Sequence, residues 1–175
     1  GTVENTYSYI GFKFGSWNKD KEEVEMDPSK VIQNKALRQA MAYAFDADAV
    51  GQRFFSGLRF RANTLIPSLF KSVHASDLPG FTYDPEKSKQ ILADAGFVDK
   101  DGDGFVEDPN GNSFKLTFAA MSGSDVAEPI TQYYLDAWKQ IGVNIELYEG
   151  RLLEFNAFYD LLDSDADIDV FQAAM

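Results

Sequence analysis

Apolar residues along the chain recur at two spacings, and the switches between them predict its elements. Thr6–Gly15, "TYSYIGFKFG", alternates large aromatic with small or polar residues, the period of a strand whose successive side chains face opposite ways. "NKDKEEVEMDPSK" is dense in charge and reads as a surface loop. In "NKALRQAMAYAF", Leu37, Ala40, Met41 and Ala44 fall at i, i+3, i+4 and i+7, an amphipathic helix with Asn34 as its N-cap. Asp46 is placed to cap a second short helix, "ADAVGQRFF", ending near Gly57. Leu58–Thr82 carries Pro67, Pro79 and Gly80 without a period and reads as an extended surface excursion. "YDPEKSKQILADAGF" is a strongly punctuated helix: Asp84 caps it, Pro85 takes its first position and Gly96 ends it.

The second half is the most regular. "SFKLTFAAM" reads as a strand; Ile130, Tyr133, Tyr134, Ala137, Trp138 and Ile141 mark a helix stopped by Gly142; "VNIELYE" is a strand, "LLEFNAFYDLL" a helix and "IDVFQAA" a strand. Strands separated by helices are joined by crossovers and run parallel, because a tight turn joins only antiparallel neighbours. The expected fold is a single α/β layered domain over residues 1–175, with a mixed, largely parallel sheet flanked by helices. Tyr133, Tyr134 and Trp138 sit at core spacing and are expected to serve packing.

Composition narrows the function classes. The net charge of -12 makes nucleic acid a poor partner, since phosphate is repelled. The absence of cysteine removes disulfides, thiol nucleophiles and cysteine zinc sites. The one histidine, His74, lies near Lys71, Ser72 and Ser76, the setting of a surface residue. No apolar run approaches the ~20 residues that span a bilayer. The start "GTVENTYSYIGF" lacks the basic and apolar blocks of an export signal, and "DIDVFQAAM" stops within a strand pattern, so the chain is expected to be cut from a longer one.

No G-x-S-x-G elbow or phosphate loop is present, and Gly102 and Gly104 do not open a helix, so no enzyme signature emerges. One stretch invites a metal. "DKDGDGFVEDPN" places Asp99, Asp101 and Asp103 at the first, third and fifth positions of a calcium loop and Gly104 at the sixth, but the twelfth position is Asn110 where a bidentate Glu is needed. Glu107 or Asp108 is the substitute ligand within a tighter loop. Two readings stand: a polar turn built on Asp and Gly, which the missing ligand favours, and a weak structural Ca2+ site at Asp99, Asp101, Asp103 and Glu107. A second acidic run, Asp163–Asp169, reads as a solvated connection between helix and strand.

The order of these motifs resembles that of the extracytoplasmic oligopeptide-binding proteins of ABC importers, solute-binding protein family 5. Arg38, Ala40, Ala44, Asp46 and Val50 in "ALRQAMAYAFDADAV" match the family's helix, with Ala47 where Arg is usual. The proline-led helix, the "DxDGDG" loop, "FKLTFAA", "ITQYYLDAWKQIGVNIEL" and "FNAFYDLL…DIDVFQAA" follow in family order. The first strand resembles the family's Y-x-x-x-N strand, with Lys13 or Phe14 where Asn is usual.

The resemblance implies the C-terminal lobe of a two-lobed, periplasmic-binding-protein-like fold. It implies a non-enzymatic, extracytoplasmic receptor, on the cell surface as a lipoprotein or in the periplasm. Such a receptor holds an extended oligopeptide between lobes and passes it to permease subunits, meeting the membrane only through an anchor outside this chain. Other ligands within the family, nickel chelates or oligosaccharides, and a calcium-binding extracellular interaction module are the alternatives. The ligand-facing positions it implies are Tyr9, Ser122, Gly123, Ser124, Gln172, Ala174 and Met175. Gln172 stands where the family carries an Arg that helps hold the ligand's carboxylate, and Ala174 and Met175 replace a Gly-Trp pair.

Overall fold

A computed structural model describes residues 8–13, 15–18, 20–21, 23–26, 29–45, 72–73, 83–123, 125, 127–162 and 167–174. The helix expected after Asp46, His74, Ser124, Met175 and all of the Leu58–Thr82 excursion except residues 72–73 lie outside them.

Seven strands and four α-helices are described: β1 (Ser8–Lys13), β2 (Gly15–Asn18), β3 (Glu23–Met26), α1 (Lys35–Tyr43), β4 (Ser72–Val73), α2 (Pro85–Asp94), β5 (Leu116–Ala120), α3 (Ala127–Gln140), β6 (Ile145–Leu147), α4 (Phe155–Leu162) and β7 (Val170–Ala174). Five strands form one sheet in the order β4-β1-β7-β5-β6. β5 pairs in parallel with β6 and β7, as the alternation of strands and helices requires. β1 runs antiparallel to β7, and β4 antiparallel to β1, so the sheet is mixed.

The charged stretch read as a loop contains β3, which pairs with β2 in a hairpin that sets Trp17 opposite Val24. Glu23 and Glu25 alternate with Val24 and Met26, a strand period hidden by the density of charge.

Capping chemistry fixes the helix ends. The Asn34 side chain accepts from the backbone N–H of Ala36 and Leu37, and that of Asp84 from Lys87. Gly96 and Gly142 adopt φ of +92° and +90° after α2 and α3, a conformation that costs glycine nothing.

Each face of the sheet has its own core. On one, Ile10, Phe12, Phe118 and Val170 pack with residues of α1, α2 and α3; on the other, Ala119 and Phe171 pack with Phe158 and Leu162 of α4. Trp138 is fully buried in the first, edge-on to Phe118 at 5.2 Å, and its indole N–H donates to the Met41 carbonyl at 3.1 Å. Ser88, also buried, ties α2 to α1 by donating to the Ala40 carbonyl at 2.6 Å. In the second core Phe171 lies over Gly11, its partner across the β1–β7 ladder: a Cβ there would fall 2.7 and 2.8 Å from two ring carbons, so only glycine fits.

The Asp163–Asp169 run is corrected at its end. Residues 163–166 lie outside the described set, and Asp167 is exposed, but Asp169 is buried and bonded on three sides. Its carboxylate accepts from Thr117 N–H at 2.9 Å and lies 3.3 Å from the Lys30 ammonium, while its backbone N–H donates to Thr117 and its carbonyl accepts from Lys13 N–H. An acid before β7 thus closes the amino end of the central strand against both neighbours.

Candidate functional site

In a sheet with parallel strands, ligands collect outside the carboxyl ends, where loops diverge and backbone groups lack ladder partners. Here that edge is the end of β5, β6 and β7. Because β1 is antiparallel to β7, its first residues come to the same edge: Ser8 pairs with Ala174, Tyr9 with Ala173 and Ile10 with Gln172, while Gln172 also pairs with Ala120 of β5. The positions Tyr9, Gln172, Ala174, Ser122 and Gly123, drawn from distant parts of the sequence, therefore share one edge of the sheet.

Beyond β5 the chain continues beside the segment that leads into α4. Leu153 N–H donates to the Ala120 carbonyl at 2.9 Å, and Ser122 N–H donates to the Leu153 carbonyl at 2.7 Å. The Ser122 hydroxyl donates to the same carbonyl at 3.1 Å, so it braces the edge. Gly123, exposed at φ +122° with open space where a Cβ would stand, leaves its peptide groups approachable by another backbone.

The same edge carries an aromatic that the sequence pattern hid. Phe155, the first residue of α4, is 62% exposed, and its ring stands 4.7 Å from that of Tyr159. Tyr159 meets buried Phe158 edge-on at 5.2 Å, and Phe158 meets Phe171 at 6.5 Å. An aromatic file thus runs from the rim down into the second core. Phe155, Phe158 and Leu162 follow helical core spacing, and only Phe155's place at the helix start leaves it outside.

The acidic loop lies at the opposite end, where Val106 N–H donates to the Gly142 carbonyl ahead of β6. One ligand atom from each of Asp99, Asp101, Asp103 and Glu107 lies within 4.8 Å of all the others. Backbone donors already occupy each carboxylate: Gly102 and Gly104 bond Asp99, Asp103 bonds Asp101, Phe105 bonds Asp103, and Lys100 bonds Glu107 at 2.7 Å. Partial desolvation pushes the Asp99 carboxyl up, but the N–H groups of Gly104 and Gly102 outweigh it and hold the group below the usual carboxylate range. The loop is a complete turn in itself, with lone pairs left over for a hard cation.

Comparison with known proteins agrees with this architecture. A family model described as "Bacterial extracellular solute-binding proteins, family 5 Middle" matches residues 2–175. An oligopeptide-binding protein, OppA, of Lactococcus lactis subsp. cremoris is 33% identical over 154 residues, covering 87% of this chain and 26% of the relative. The oligopeptide-binding protein AppA of Bacillus subtilis is 27% identical over 161 residues, covering 90% of this chain and 26% of its own. The solved structure of lactococcal OppA, complexed with an endogenous peptide in the closed conformation, superposes with a TM-score of 0.81 at 31% identity, covering 97% of this chain and 32% of that one. The chain thus spans about a quarter of the length of these curated relatives.

Proposed function

This chain belongs to the bacterial extracellular solute-binding proteins of family 5, and from that premise we propose that it forms the C-terminal lobe of a receptor for extended oligopeptides. The receptor closes two lobes on its ligand and delivers it to the permease of an ABC importer, without chemical conversion. One observation carries the reading: the carboxyl edge of the sheet combines approachable backbone at Gly123 with the exposed ring of Phe155, backed by half-buried Tyr159. Backbone contacts hold a peptide as an added strand is held, whatever its sequence, and the exposed ring favours apolar side chains. Tyr9, Ser122, Ser124, Gln172, Ala174 and Met175 are the other positions we assign to the ligand.

The test is calorimetric titration of the full-length receptor with apolar hexapeptides. Binding is expected, and Phe155→Ala weakens it on the order of tenfold, the worth of burying an aromatic face. Failure of every peptide to bind would overturn the reading.

We propose that the Asp99–Glu107 loop is a polar turn that ligand binding does not require to be metal-loaded, and that any ion it takes is a weakly held structural calcium. The convergence of four carboxylates supports such an ion. The lack of a bidentate acid at Asn110 makes the affinity low.

A further inference from the structure

Among the described residues that follow β5 and β6, acids prevail at the edge assigned to the ligand, beside one cation. The stretches that run past β5 and β6, residues 121–125 and 148–155, carry Asp125, Glu149 and Glu154, all exposed, and a single cation, Arg151. Lys13, Lys30, Lys100, Lys115 and Lys139 lie toward the other end of the sheet, beside the amino ends of β5, β6 and β7 or the carboxyl end of α3.

Arg151 is held out from the edge. Its side chain is 69% exposed, and its partner among the described residues is Glu149, whose Oε2 lies 3.3 Å from Nη2. A guanidinium offers five N–H donors in a planar fork, so the others face solvent. Glu149 is also the one non-glycine at positive φ among the described residues, at +53°, and Gly150 follows at +71°. The left-handed conformation strains a residue other than glycine. Two left-handed residues in succession turn the chain sharply after β6 and set the Glu149 carboxylate against the guanidinium. Two residues beyond Arg151, Leu153 is bonded to Ala120 and Ser122, so the cation rises from the strip that borders Gly123 and Phe155.

We propose that Arg151 is the carboxylate-binding residue of this lobe. Its guanidinium, steadied by Glu149, takes an anionic group of the bound peptide, either the C-terminal carboxylate or an acidic side chain. The inference rests on the peptide reading above. Gln172, at the neighbouring strand end, supplies hydrogen bonds and no charge, so among the described residues that follow these strands Arg151 is the cation that can discriminate by charge.

The experiment titrates the full-length receptor with one apolar hexapeptide in three forms: free acid, C-terminal amide, and amide with a single internal Glu. Wild type is compared with Arg151→Gln and Arg151→Lys, each checked for an unchanged melting temperature. Wild type should prefer at least one carboxylate-bearing form over the plain amide by about tenfold, the free acid if the terminus is held and the Glu peptide if a side chain is. Arg151→Gln should lose the preference for the carboxylate-bearing forms over the plain amide; Arg151→Lys should keep part of it. A preference that survives in Arg151→Gln, or is absent in wild type, overturns the inference and leaves the peptide reading standing. If wild type binds none of the peptides, both fall.

Discussion

Tyr134 lies wholly buried in α3, 5.0 Å from the ring of Phe45 and stacked on Trp138 at 5.6 Å, and its hydroxyl has no hydrogen-bond partner among the described residues. Burial first, and then Tyr133, push its pKa far above the ordinary tyrosine value, so it stays neutral. Trp138, one turn away, delivers its polar atom to Met41, whereas Tyr134 desolvates a hydroxyl for nothing in return. Tyr134→Phe should therefore leave the urea midpoint unchanged or raise it, since an unmet buried hydroxyl costs on the order of 1 kcal/mol. A loss of comparable size would reveal a bound water. Helical spacing announced that Tyr134 is core; it could not announce an idle hydroxyl, because a satisfied and an unsatisfied tyrosine have the same period. Asn34, Asp84 and Gly96 were legible to the atom because their chemistry is local.

At the scale of elements, the closure of the sheet behind β7 rests on Asp169 and Lys30, whose side chains keep only 10% and 11% of their exposure. Lys30 also donates to the Ile168 carbonyl at 2.7 Å. Burial raises the Asp169 carboxyl above its ordinary 3.8, outweighing Lys30 and the Thr117 N–H, which pull it down. A raised pKa means that stability is fully present below the ordinary value and is lost as pH climbs through the raised one. Lys30→Met removes the chief downward pull, so the pKa climbs further. At neutral pH the variant should lose about 3 kcal/mol through its unpaired buried charge. That loss should shrink as pH falls and the carboxyl protonates, which urea midpoints at pH 7 and pH 5 would measure. A deficit that is constant or grows on acidification would refute this account. The sequence hid the pair because Asp169 closes a row of acids, and only the approach of Lys30, 139 positions earlier, tells it from its solvated neighbours. The acidic loop behaves oppositely: its carboxylates bond backbone within the loop, so its turn was readable. Calcium added to metal-free protein should raise the melting temperature by a few degrees, and Asp101→Ala should abolish the shift without altering peptide affinity. A calcium-independent melting temperature would remove the ion from the proposal.

At the scale of the molecule, the parallel core was readable because helices between strands leave few topologies open. The antiparallel placement of β1 was not: nothing in "SYIGFK" says that its partner lies at the far end of the chain. The candidate site inherits that limit. Tyr9 and Ala174 become neighbours only through the β1–β7 ladder, and Phe155 and Arg151 join them only through the bond from Leu153 to Ala120. On the proposal that this chain supplies one wall of the cleft, the same lobe expressed alone should bind a hexapeptide at least tenfold more weakly than the full receptor, closure being lost. Equal affinity would place the whole site within residues 1–175.

The strand order has a further consequence in time. β7, the last strand described, lies between β1, the first described, and β5. Until residue 174 has emerged from the ribosome, β1 lacks its long partner and β5 has only three-residue β6 beside it. Pairing that spans the whole chain is slow to form, because loop closure must precede its reward. A lobe wired in this way cannot complete its five-stranded sheet until its last strand is made.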